Sequence, residues 1–123
     1  MLAARWLCLF LAAVPGVAWG AATLEDDGYH VRPGDRIQEA LDRAATNPLV
    51  KTVWVHPGEY RPESKRQALV WFNRRHDGVR LLGLPGATLS AANPSLSDPK
   101  DPSHPASVNH VIYLGDGLST NTL

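Results

Sequence analysis

Three groups of side chains in this sequence are equipped for chemistry: a carboxylate pair, a set of histidines and a set of aromatic rings. Asp98 and Asp101 flank Lys100 in a proline-rich stretch. Two carboxylates at that spacing could hold Ca²⁺ or act as an acid/base pair. A stretch of that composition does not preorganise charge, however, and solvated acidic residues are the plainer reading. His30, His56, His76, His104 and His110 raise the question of a metal site. No pair of them has the close spacing of a zinc motif, so scattered surface histidines are expected. Asp116, set between Gly115 and Gly117, reads as a turn residue. Trp54, Tyr60 and Trp71, with Phe72 beside them, are the candidate substrate-binding residues. Exposed aromatic rings stack on sugar rings, and Trp54 points outward if Val53 and Val55 face a core. The competing reading packs these rings under a helix or a loop. No residue stands out as catalytic or as a metal ligand, and no cofactor is identifiable.

The elements that must position these residues can be read from pattern. Val53 and Val55 alternate with Thr52, Trp54 and His56 in a period of two, which predicts a strand, and Pro57-Gly58 ends it. Upstream, Tyr29-His30-Val31 predicts a short strand, and residues 23–28 predict a polar, flexible lead-in. Between these lies a helix. Asp35 and Gln38 form a capping-box pattern, Ile37, Ala40, Leu41, Ala44 and Ala45 make one apolar stripe, and Asn47-Pro48 stops it. Downstream, residues 68–72, 79–82, 87–90 and 108–114 predict further short strands, and residues 119–123 the opening of another. Four prolines make residues 91–107 a long exposed loop. Val53, Val79 and Val111 lie 26 and 32 residues apart, an interval that predicts one parallel stack of repeated strands.

Composition sets the frame. The 123 residues are 44% hydrophobic and 20% charged with formal net charge +0, which fits one small globular unit. Basic residues are dispersed, so nothing points to nucleic acid. The first 22 residues read as a secretory signal peptide: Arg5 is their only charge, an apolar run follows, and small residues close it. Ala18 and Gly20 suit cleavage after Gly20, and cleavage after Ala22 is nearly equivalent. The alternative is an uncleaved N-terminal anchor. Cys8, the one cysteine, would leave with the signal. The expected product is exported, whether periplasmic, cell-surface or extracellular, with no membrane attachment once the signal is removed.

The run Asp35-Arg-Ile-Gln-Glu-Ala-Leu-Asp-Arg-Ala44, then Val53-Trp-Val-His-Pro-Gly-Glu-Tyr60, then Val79-Arg-Leu-Leu-Gly83 resembles the opening segment of right-handed parallel β-helix proteins of the pectin-lyase-like superfamily. The resemblance covers residues 29–89. It implies a mainly β fold in which residues 23–123 form a capping helix and the first rungs of a β-helix. An amphipathic helix over the open end hides apolar side chains and unpaired strand edges. The resemblance further implies binding or processing of polysaccharide, with Ca²⁺ as the cofactor some full-length members use. Catalytic groups of such proteins sit on later rungs, so none carries over to this chain, which reads as the N-terminal part of a longer protein or a truncated product. A non-catalytic β-helix surface or adhesion protein is the alternative.

Overall fold

The computed structural model describes residues 20–64, 68–96 and 107–119. The expected signal peptide up to residue 19, the Asp98/Asp101 pair, His104 and residues 120–123 lie outside them.

The chain is mainly β, in three small sheets. Strand β1 (Thr23–Glu25) runs antiparallel to β2 (Gly28–Val31). The segment expected to be a flexible lead-in is therefore an edge strand. Gly28 makes the turn and the close approach that follows: its φ is +143°, and a Cβ there would lie 2.5 Å from the Thr52 carbonyl. Strand β3 (Thr52–Val55) pairs in parallel with β2, then β4 (Gly58–Tyr60) and β5 (Ala68–Phe72) follow in new directions. The chain next repeats this course. Strand β6 (Arg80–Gly83) pairs with β3, β7 (Ala87–Leu89) with β4, and β8 (His110–Leu114) with β5, each in parallel.

Register corrects the expected repeat. Val53 sits opposite Leu81, not Val79, although Val79 is itself fully buried just ahead of β6. Val111 belongs to β8, in another sheet altogether. Val53, Val79 and Val111 thus do not share one stack, because each course of the chain lays down three short strands and β8 is the third of its course. The matching intervals are 28 residues from Val53 to Leu81, 29 from Gly58 to Ala87 and 42 from Ala68 to His110. The long third interval contains the proline-rich stretch, of which the described part holds a 3₁₀ turn at Pro94–Leu96 and an isolated bridge from Ala92 to Ser107.

One helix, α1 (Ile37–Thr46), lies between β2 and β3. Its stripe of Ile37, Ala40, Leu41 and Ala44 is buried against Tyr29, Val31, Val53, Val55, Val70 and Phe72, the inward residues of β2, β3 and β5. Alternation along the strands supplies one half of this core and the helical period the other.

The expected capping box does not form. Asp35 turns back, where its carboxylate accepts from the Arg32 N–H at 2.8 Å, and the helix starts without a side-chain cap. Gln38 is used elsewhere. Its amide accepts from the Trp71 N–H at 2.9 Å and donates to the Trp71 carbonyl at 3.1 Å, so it occupies both backbone groups of one residue on β5. The helix thereby covers strand edge with a side chain as well as with apolar surface. At its other end, Lys51 Nζ donates to the Ala44 and Ala45 carbonyls at 3.1 and 2.9 Å, satisfying groups that the last turn leaves open.

Two ends of the fold differ in cover. Beneath α1 the core is closed, whereas on β8 the residues that share a face with buried Val70 and Phe72, namely Ile112 and Leu114, are 47% and 49% exposed.

Candidate functional site

The outer face of the four-stranded sheet gathers the polar chemistry. Since Tyr29, Val31, Val53 and Val55 point inward, His30 and Trp54 must point outward, and parallel pairing sets them side by side in register. His56 follows two residues after Trp54 and emerges on the same side. The result is a cluster that the linear sequence spreads over 26 positions.

His30 lies at its centre, buried to 9% exposure. Its Nε2 is 2.6 Å from an Asp27 carboxylate oxygen and its Nδ1 is 2.7 Å from His56 Nε2. A carboxylate only accepts, so the hydrogen-bond network assigns the His30 proton to Nε2. Nδ1 of neutral His30 then presents its lone pair to His56, whose Nε2–H donates to it. Glu25 Oε2 stands 3.5 Å from the same Nδ1 and 3.4 Å from an Arg32 nitrogen. The Trp54 ring stacks near His30 with centroids 6.4 Å apart, and its indole N–H donates to the Asp27 carbonyl at 3.0 Å. Asp27 is thus held from both its backbone and its side chain. The hydrogen bond from His30 keeps the Asp27 carboxyl below its ordinary range, against the opposing pull of desolvation.

A second histidine, His76, is fully buried beneath α1. Its Nδ1 accepts from the Asn73 N–H at 3.1 Å and its Nε2 donates to Asp42 at 2.7 Å. Asn73 and His76 close a capping box around the 3₁₀ turn Arg74–His76. Burial pushes the Asp42 carboxyl up, but hydrogen bonds from His76, Gln38 and Arg75 outweigh it and hold the group low.

The histidines expected to be scattered on the surface are therefore, in His30, His56 and His76, organised and at least half-buried. Sequence spacing could not find this arrangement, because the contacts run between strands and between helix and turn. The usable signal was the outward alternation of His30, Trp54 and His56 combined with a parallel register.

The three aromatic candidates do not converge. Trp54 is half-buried on the outer face of β3. Tyr60 is 5% exposed, with its hydroxyl donating to one of the two carbonyls it reaches, Val31 at 3.1 Å and His56 at 2.8 Å. Burial, and after it the charge of Asp35, raises the Tyr60 hydroxyl above its ordinary value. Its ring is part of the core and offers no face to a ligand. Trp71 is half-buried on β5 in a different sheet, opposite Tyr113, and Phe72 is buried. Asp116 lies exposed in the turn after β8, as its flanking glycines predict.

A cleft of about 240 Å³ opens elsewhere, between the start of α1 and the segment after β4. Its charged residues are matched to one another, Arg36 with Glu63 at 2.8 Å and Arg61 with Glu59 at 2.6 Å. Among the described residues, no three His, Cys, Asp or Glu side chains form a ready metal cage, so the oxygen-rich shell that Ca²⁺ requires has no counterpart in them. No helix among them is long and apolar enough to cross a membrane. Compared with protein-family models, curated proteins and solved structures, the chain matches none.

Proposed function

We propose that this chain is the capped opening of an exported right-handed parallel β-helix whose outer sheet face binds or processes polysaccharide. The observation that carries the reading is the repeated course of the chain: β3, β4 and β5 are each followed, in the same order, by a parallel partner in β6, β7 and β8. A helix covers one end of that arrangement, and the other leaves apolar residues of β8 exposed. Two courses are fewer than the roughly three that a repeat array needs for a continuous core. Sugar contact falls to Trp54, the one of the three aromatic candidates that shares a face with polar side chains able to hydrogen-bond hydroxyl groups. Tyr60 drops out because it is buried.

Titration of the full chain with acidic and neutral polysaccharides, followed by affinity electrophoresis, tests the reading. Trp54→Ala is expected to weaken retention by about tenfold, the equivalent of roughly 1.4 kcal/mol. Retention equal to that of the native chain, or none by either protein, overturns it.

Export carries its own expectation. Ala22 is 4% exposed in the core cluster, and its carbonyl accepts from Arg43 at 2.6 Å. Cleavage after Gly20 keeps these contacts and cleavage after Ala22 discards them. Intact mass of the secreted product should place the new N-terminus at Ala21; a start at Thr23 would count against Ala22 as a structural residue.

A further inference from the structure

The geometry points to a binding site for a divalent transition-metal ion, of the Zn²⁺, Ni²⁺ or Cu²⁺ class, between His30 and His56, with Glu25 as third ligand and Asp27 as the carboxylate that orients His30. This site is independent of the polysaccharide reading. Its basis is the direction of lone pairs. Asp27 takes the Nε2–H of His30 at 2.6 Å, which leaves Nδ1 as the donor atom aimed at His56 Nε2, 2.7 Å away. A carboxylate on the far nitrogen of an imidazole is the arrangement that fixes the tautomer and raises the basicity of a metal-bound histidine. Glu25 Oε2 stands 3.5 Å from that same Nδ1, a separation suited to two ligands of one ion.

Without metal these donors are hydrogen-bonded to one another and are not spread as a cage. Two imidazole nitrogens at about 2.0–2.1 Å from a tetrahedral ion lie roughly 3.3 Å apart. The pair must therefore open by about 0.6 Å, from the 2.7 Å of the hydrogen bond. His56 is the ring able to move, since it is half-buried at the end of β3 whereas His30 is held by Asp27 and lies against Trp54. The proton balance is simple. The hydrogen that His56 Nε2 donates to His30 leaves to solvent, the two lone pairs go to the ion, and His56 takes up a proton at Nδ1. Glu25 exchanges its partner Arg32, at 3.4 Å, for the ion. Solvent fills the remaining position. Ligand chemistry sets the choice of ion: imidazole nitrogen suits Zn²⁺, Ni²⁺ and Cu²⁺, whereas Ca²⁺ and Mg²⁺ need a shell of oxygens that this cluster lacks.

Calorimetric titration of the full chain with Zn²⁺ should show one ion bound per chain, and the electron paramagnetic resonance of the Cu²⁺ form should show coupling to two imidazole nitrogens. His56→Ala is expected to weaken Zn²⁺ binding by about 100-fold, and Asp27→Asn, acting only through His30, by about 10-fold or more. His110→Ala, on a different sheet, is expected to leave it unchanged. Should His56→Ala fail to fold, His56→Gln, which can still donate to His30 Nδ1, gives the same reading. No Zn²⁺ binding, binding of equal strength in the His56 variants, or coupling to a single nitrogen overturns the proposal.

Discussion

His76 and His30 are both buried, both within hydrogen-bond reach of an aspartate, and they are not equivalent. Each nitrogen of His76 meets a group whose role is fixed: the Asn73 N–H can only donate and the Asp42 carboxylate can only accept. Such a ring is a structural bracket joining a turn to a helix. His30 has one fixed partner, Asp27, and one, His56, that can donate, accept or move aside. The difference teaches that burial and a carboxylate partner do not by themselves mark a functional histidine; what the second nitrogen faces decides it.

The comparison breaks first at His76. His76→Ala removes a fully buried ring, leaves the Asn73 N–H without its acceptor and opens a cavity under α1. A loss of about 3 kcal/mol is expected, from the unsatisfied donor together with the lost packing. Urea denaturation followed by circular dichroism measures it, and a loss below about 1 kcal/mol would mean that the bracket does not hold the turn to the helix.

Gln38→Ala sharpens the same contrast from the helix side. It strips both backbone partners from Trp71 and one donor from Asp42. The expected cost is about 2 kcal/mol, with faster hydrogen exchange at the Trp71 amide as its local signature. Unchanged exchange at that amide would show that the strand edge is covered by something other than the glutamine.

Much of this was legible from the residues alone, and the limit has a physical cause. The apolar stripe of α1 and the alternation of Val53 and Val55 follow from local periods, so the helix and β3 fall where pattern puts them. Strand β4 and strand β1 escaped because three residues are too few to show a period, and their pairing depends on neighbours distant in sequence. Gln38 fits a capping box by spacing, yet a strand edge with open backbone groups competes for the amide and wins. The histidine clusters are tertiary throughout: His30 meets His56 only because β2 and β3 pair in a register that brings His30 beside Trp54.

Acid separates the two aspartates by a smaller amount. Asp42 is held low in the folded state, so its contribution is present above the unfolded value of 3.8 and is lost as pH falls through the lower folded value. Stability should therefore fall more steeply below pH 3.8 in the native chain than in Asp42→Asn, which has no carboxylate to protonate there. With more than a third of the side chain in solvent, the difference is on the order of 1 kcal/mol. Parallel acid profiles of the two proteins would assign the acid sensitivity to other carboxylates.

The smallest expected effect on stability is the most telling for the contrast. His56→Ala removes a half-buried ring at the end of β3 and a hydrogen bond to His30, while the backbone of the strand keeps its own bonds, including His56 N–H to the Val31 carbonyl at 2.8 Å. A cost of about 1 kcal/mol or less is expected, because solvent or a water can reach the freed His30 Nδ1. Denaturation of His56→Ala beside His76→Ala therefore places the two histidines at opposite ends of one scale. If His56→Ala proved as costly as His76→Ala, the His30–His56 pair would be a second structural bracket, and its nitrogens would have no capacity to spare for an ion.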